Sequence, residues 1–172
     1  MKRYKLQIQL VSGQMVPNVT PVMDPAISPE KVILCTSSNM EKHAKFLERF
    51  LKKRKIESEI FKIGDALDFK SLKDKFLNLL LQNSDRKEDL WVNLTGGTKL
   101  MTLAASEVFR NLEQIPCFYV LPERNSLILL DSRDSTQYEL SCRMKIEDFF
   151  EIHGYQVEKI CRKTKYPEQI AF

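Results

Sequence analysis

At 172 residues the chain is long enough for one domain with a sizeable core and short for two. Hydrophobic residues make up 43% and charged residues 29%, an ordinary globular balance, and no apolar run approaches the roughly 20 residues needed to span a bilayer. The net charge of +4 suits an anionic partner but is too small for a general nucleic-acid coat, so neither a membrane protein nor a direct DNA binder is expected.

Taken in chain order, residues 4–11 alternate apolar and polar side chains and predict a first strand. The basic start ahead of it lacks the apolar core of a signal peptide. A polar loop spans residues 12–18, and Pro21, Pro25 and Pro29 limit any following helix to a short piece before about Asp24. Residues 31–35 predict a second strand, ending in the turn-forming run Thr36-Ser37-Ser38-Asn39. Met40, Ala44, Leu47, Phe50 and Leu51 share one face of a helix over residues 40–53. Residues 56–63 alternate as a strand. Asp68 then caps a helix with apolar positions Phe69, Leu72, Phe76, Leu79 and Leu80, and residues 84–89 form a charged loop.

The stretch over residues 90–101 is the most informative. Residues 90–94 read as a short buried strand with one polar member, Asn93. Gly96 and Gly97 break it, and Thr98 either caps or begins a helix whose apolar positions are Met101, Ala104, Ala105, Val108, Phe109 and Leu112. Strand, glycine turn and helix start together make an anion site. Lys99 stands at the positive end of the helix dipole, where a bound anion accounts for it better than helix stability does. The glycine spacing matches neither the P-loop nor the G-x-G-x-x-G pattern, and a plain tight turn with a solvated Lys99 remains the structural alternative.

Residues 115–121 predict another buried strand. Two closing strands follow over 125–130 and 137–140, with turns at 122–125 and 131–134, then a short helix over 144–152 ended by Gly154. Trp91, Met15 and Met101 read as core residues, Met15 having the alternative of touching a base. Asp65 reads as a turn cap and Cys35 as a small buried hydrophobe. The four cysteines show no C-x-x-C spacing and the two histidines lie far apart. Reduced cysteines, a cytoplasmic location and no metal or cofactor are therefore expected.

Strands and helices alternating at this spacing predict an α/β fold: a Rossmann-like three-layer domain with a mostly parallel central sheet and a closing antiparallel hairpin. In such sheets ligands bind outside the carboxyl ends of the strands, near the topological switch point. Loops 12–18, 36–39 and 95–99 all fall there.

Three pieces of sequence carry a resemblance: Val11, Ser12, Gln14, Pro17 and Asn18 in the first loop, Thr36-Ser37 in the second, and the run Asn93-Leu94-Thr95-Gly96-Gly97-Thr98-Lys99-Leu100-Met101. Together they resemble the CARF domain, the sensor module of type III CRISPR antiviral defence, in the branch usually fused to a nuclease or other effector. The resemblance covers residues 4–140. It implies a ligand-sensing domain over residues 1–143, and a short helix and tail over 144–172 leading towards an effector, fused or separate. It implies a homodimer that binds a cyclic oligoadenylate, most commonly cyclic tetra-adenylate, across its two-fold axis. Ser12, Gly13, Gln14, Asn18, Thr36, Ser37, Asn93, Thr95, Gly96, Gly97, Thr98 and Lys99 are the implied ligand-binding residues. Gly97→Val is expected to abolish binding while sparing the fold.

Two further readings stay open. Some CARF domains resemble metal-independent ring nucleases, for which Lys99, Thr95 and Ser12 are the candidate catalytic groups. Neither His43, in a helix, nor His153, in the tail, falls in the predicted pocket, which favours sensing. A nucleotide-binding α/β protein outside CRISPR would need an acidic residue beyond the glycine turn, for which Glu113 and Glu123 are available.

Overall fold

The computed structural model describes residues 4–130 and 136–158. Seven strands form one sheet in the order β3-β2-β1-β4-β5-β6-β7. They are β1 (Leu6–Leu10), β2 (Lys31–Ser37), β3 (Glu57–Gly64), β4 (Leu90–Asn93), β5 (Cys117–Leu121), β6 (Ser126–Leu129) and β7 (Gln137–Glu139). The first five pair in parallel, and β6 and β7 close the sheet as antiparallel strands. The Rossmann-like α/β architecture is thus present. The turn expected over 131–134 lies outside the described residues.

Among the described residues, five α-helices complete the layers: α1 (Val16–Met23), α2 (Glu41–Lys53), α3 (Phe69–Gln82), α4 (Lys99–Ala105) and α5 (Ile146–Ile152). Residues of α3 and α4 share a buried apolar cluster with Leu6, Ile8 and Leu10 of β1. Residues of α1, α2 and α5 share a second cluster, on the opposite face, with Val32 and Leu34 of β2. The elements after β1 and β2 therefore cover one face, and those after β3 and β4 cover the other. That arrangement puts the switch point between β1 and β4.

Several elements differ in extent from the sequence expectation. Helix α1 takes in Pro17 and Asn18, because a proline in the first turn gives up only an N–H that had no partner there. Strand β2 runs through Thr36 and Ser37, since ladder bonds to β3 outweigh their turn preference. Residues 84–89 form a 3-10 turn. After Ala105 the α4 helix widens into a π segment over residues 106–112, which turns Leu112 out of the apolar stripe and leaves it 60% exposed. Met15, Trp91, Met101 and Cys35 are core residues as expected. Burial pushes the Cys35 thiol well up from its ordinary range, which keeps it inert.

The segment after Cys142 packs onto the same body. Ile152 is fully buried in the α2 cluster, and Arg54, just beyond α2, pairs with Asp148 of α5. No helix of the described residues is long and apolar enough to cross a membrane.

Candidate ligand site at the carboxyl ends of the strands

Two loops flank the switch point. After β1 the chain is held to its neighbour by Val11 N–H donating to the Cys35 carbonyl (2.9 Å), and the Ser12 hydroxyl donates to the Gln14 carbonyl (3.3 Å). This small turn leaves Gly13 and Gln14 exposed while Met15 anchors it in the core. A Cβ on Gly13 would meet nothing within 4 Å, so that position opens onto free space.

After β4 the two glycines serve different ends. A Cβ on Gly96 would sit 2.0 Å from the Leu10 carbonyl oxygen, so only glycine lets the two loops abut. Gly97 has φ +80°, and a Cβ there would lie 3.0 Å from Met101 Cε and 3.1 Å from Leu10 Cβ. Gly97→Val therefore collides with the protein's own packing and disturbs the turn as well as any ligand, which corrects the expectation that it spares the fold. The N–H groups of Gly96 and Gly97 meet no acceptor among the described residues.

The Thr98 hydroxyl accepts from Met101 N–H (3.2 Å), so that of its two expected places it takes the cap of α4, and it donates to the Ala66 carbonyl (3.2 Å). This one side chain ties the glycine turn to the loop after β3. Lys99 is exposed, and no carboxylate lies within salt-bridge distance of it among the described residues. An unpaired cation thus stands at the positive end of a helical run.

Four expected contact residues face inward instead. Asn93, fully buried, donates to the Pro17 carbonyl (2.8 Å) and accepts from Thr95 N–H (3.0 Å) and the Thr95 hydroxyl (2.6 Å). That hydroxyl in turn accepts from Val120 N–H (2.7 Å). Asn18 is 1% exposed and donates to the Leu10 carbonyl (3.1 Å). Thr36 is fully buried, its hydroxyl donating to the Ser37 carbonyl (3.1 Å). These side chains hold the loops in place, with Asn93, Asn18 and Thr36 buried and Thr95 half-buried. A further polar chain supports them from beneath: Gln9 donates to the Gln7 side chain (2.7 Å) and to the Asn18 carbonyl (2.8 Å).

A cavity of about 550 Å³ opens beside these loops, within the range of small-molecule sites. Of the expected residues, it brings together Ser12, Gly13, Ser37, Gly97 and Thr98. Gln14 and Lys99 are exposed next to lining residues, and Thr95 and Gly96 sit behind the turn. The loop after β2, expected there, supplies Ser38 and Asn39 and is followed by Met40; the far wall after β3, Gly64, Asp65, Ala66 and Leu67, was not expected. The signal for it was present, because the carboxyl-end rule applies to β3 as much as to β1, and Gly64 marks a turn with φ +81°. The reading of Asp65 as a cap was correct in itself, since its carboxylate accepts from Leu67 N–H (2.9 Å), but it hid the position's place on the wall. Neither histidine lines the cavity. Glu113, a candidate ribose ligand in the reading outside CRISPR, is paired with Lys87 (2.9 Å).

Comparison with known proteins follows the same lines. The family model described as the Card1 CARF domain matches residues 6–149. The fold is similar to protein VC1899 from Vibrio cholerae, with TM-score 0.79 and 24% identity, covering 87% of this chain and 39% of that one. It is also similar to Can2 from Sulfobacillus thermosulfidooxidans, solved in complex with cyclic tetra-adenylate (TM-score 0.75, 22% identity, 91% of this chain and 43% of that one). A type III CRISPR defence DNA nuclease activated by cyclic oligoadenylate is a third similar structure (TM-score 0.73, 22% identity, 92% of this chain and 25% of that one). The chain thus spans less than half the length of each. A search of the curated proteins finds no match.

Proposed function

The chain belongs to the family of Card1 CARF domains, and on that premise we propose that it is a cyclic oligoadenylate sensor of type III CRISPR defence. Cyclic tetra-adenylate is the ring that fits this reading best, given the ligand of the similar Can2 structure. One observation carries it. At the switch point, the unpartnered Gly97 N–H group, the Thr98 cap and the unpaired Lys99 stand beside the Ser12–Gln14 turn, where Ser12, Gly13, Gly97 and Thr98 line a cavity. A free donor and an uncompensated cation suit a phosphate-bearing ligand.

One protomer presents this loop set once. A ring with two-fold symmetry is satisfied by an isologous pair of protomers, each holding half of it. The ligand-binding unit is therefore a homodimer, and a monomeric mass at micromolar concentration, with and without ring, would count against it. Helix α2 starts at the cavity wall, and Arg54 just past its end grips α5. Helix α2 thus links the ligand site to α5, the route by which binding would be passed to an effector.

The purified chain, incubated with labelled cyclic tri-, tetra- and hexa-adenylate, tests the reading when bound, free and cleaved species are resolved. A sensor retains the tetra-adenylate ring intact. Cleavage without metal assigns the ring-nuclease activity instead, with Lys99 and backbone donors of the glycine turn orienting the phosphate. Absence of binding to every ring overturns both.

A further inference from the structure

Resting on that reading, we infer that the far wall of the cavity is a slot for an adenine base, with Asn39 and Asp65 reading its exocyclic amino group. The cavity has two unlike ends. Its β1–β4 edge carries the free Gly97 N–H and, alongside, Lys99, which suits phosphate. At the other edge stands Asp65, exposed and with no lysine or arginine within salt-bridge distance among the described residues. One of its oxygens is used by Leu67 N–H, which leaves the other to accept. A phosphate placed there would face an uncompensated like charge. A neutral ring bearing an amino group would donate to it.

Apolar side chains also line the cavity: Met40, half-buried, Val11 and Met101, each 1% exposed, and Leu67, 72% exposed. A flat aromatic ring covers such a surface well, and thioethers adapt to aromatic faces. Asn39 lines the same cavity, and its amide has no partner among the described residues. A side-chain amide matches the donor-acceptor pair that adenine presents with its amino group and adjacent ring nitrogen. Hypoxanthine and guanine put a carbonyl where adenine has its amino group, and the Asp65 carboxylate repels it. Asp65 therefore makes the slot selective, because unlike an amide it cannot flip to offer a donor.

Titration of the full chain with cyclic tetra-adenylate and cyclic tetra-inosinate tests this. The Asp65→Asn variant keeps an acceptor for Leu67 N–H and so keeps the turn. Wild type is expected to prefer the adenylate ring, and Asp65→Asn and Asn39→Ala to weaken it roughly tenfold or more while erasing most of the preference. Lys99→Ala should weaken both rings alike. If Asp65→Asn and Asn39→Ala shift both rings equally, or neither, the slot is overturned and the sensor reading stands. If wild type binds neither ring, the sensor reading fails, and adenosine and inosine monophosphates decide the slot by the methyl resonances of Met40 and Met101. Shifts with the adenosine compound alone, lost in Asp65→Asn, uphold it, and equal or absent shifts overturn it.

Discussion

The two faces of β1 end in the same loop but are built in opposite ways. On one face Leu6, Ile8 and Leu10 are sealed among the apolar residues of α3 and α4. On the other, Gln7 and Gln9 are as deeply buried but feed a chain of hydrogen bonds through Asn18 to Leu10, while Asn93 beside Gln9 reaches Pro17 and Thr95. Apolar contact is non-directional: it holds the sheet together but cannot aim a loop. Hydrogen bonds have required directions, so the polar face decides where the two switch-point loops stand. The polar face also carries loose ends, since Gln7 Nε2, Asn18 Oδ1 and Trp91 Nε1 are buried without a protein partner among the described residues. Two or more such groups close together form a site for ordered water.

Substitutions can break or sharpen this contrast. Gly96→Ala should have the largest effect on stability, no less than about 4 kcal/mol, because its Cβ meets the Leu10 carbonyl at 2.0 Å and backbone cannot yield cheaply. An unchanged urea midpoint would mean that the loops do not abut. On the dry face, Ile8→Ala should cost about 3 kcal/mol of unfolding free energy and leave the ring affinity of the folded protein within twofold of wild type. A fall in affinity there would show that the apolar face aims the loops too.

On the polar face, Asn93→Ala should cost about 2 kcal/mol, since it strands the Pro17 carbonyl and Thr95 N–H. Unlike Ile8→Ala it should also weaken ring binding, because the turn above it loosens. Melting curves paired with calorimetric titration separate the two faces.

The smallest change in stability belongs to Lys99→Ala: within about 0.5 kcal/mol of wild type, and on the favourable side, as a misplaced charge leaves the positive end of the helix. Its ring affinity should nevertheless fall by roughly 3–6 kcal/mol, since two copies per ring each lose a charge-assisted contact. Salt should then matter less to binding. An affinity within twofold of wild type leaves Lys99 a solvated bystander.

Sequence alone determined the layers and the switch-point loops. Hydrophobic period, glycine and proline positions and the caps at Asp68 and Thr98 are local signals, read within a few residues of where they act. The same locality explains what it could not decide. Asn93, Thr95, Asn18 and Thr36 are polar residues at strand ends or in loops, and nothing local separates one that faces a ligand from one that braces a loop. Asn93 braces because Pro17, 76 residues away in the chain, brings its carbonyl to 2.8 Å. Leu112 follows the helical stripe in sequence and leaves it only because the π segment alters the turn. Asp65 reads as a cap until Thr98 binds the Ala66 carbonyl and draws the loop after β3 to the cavity. Side-chain orientation at a site depends on which distant backbone groups need a partner, and that is settled only when the sheet assembles.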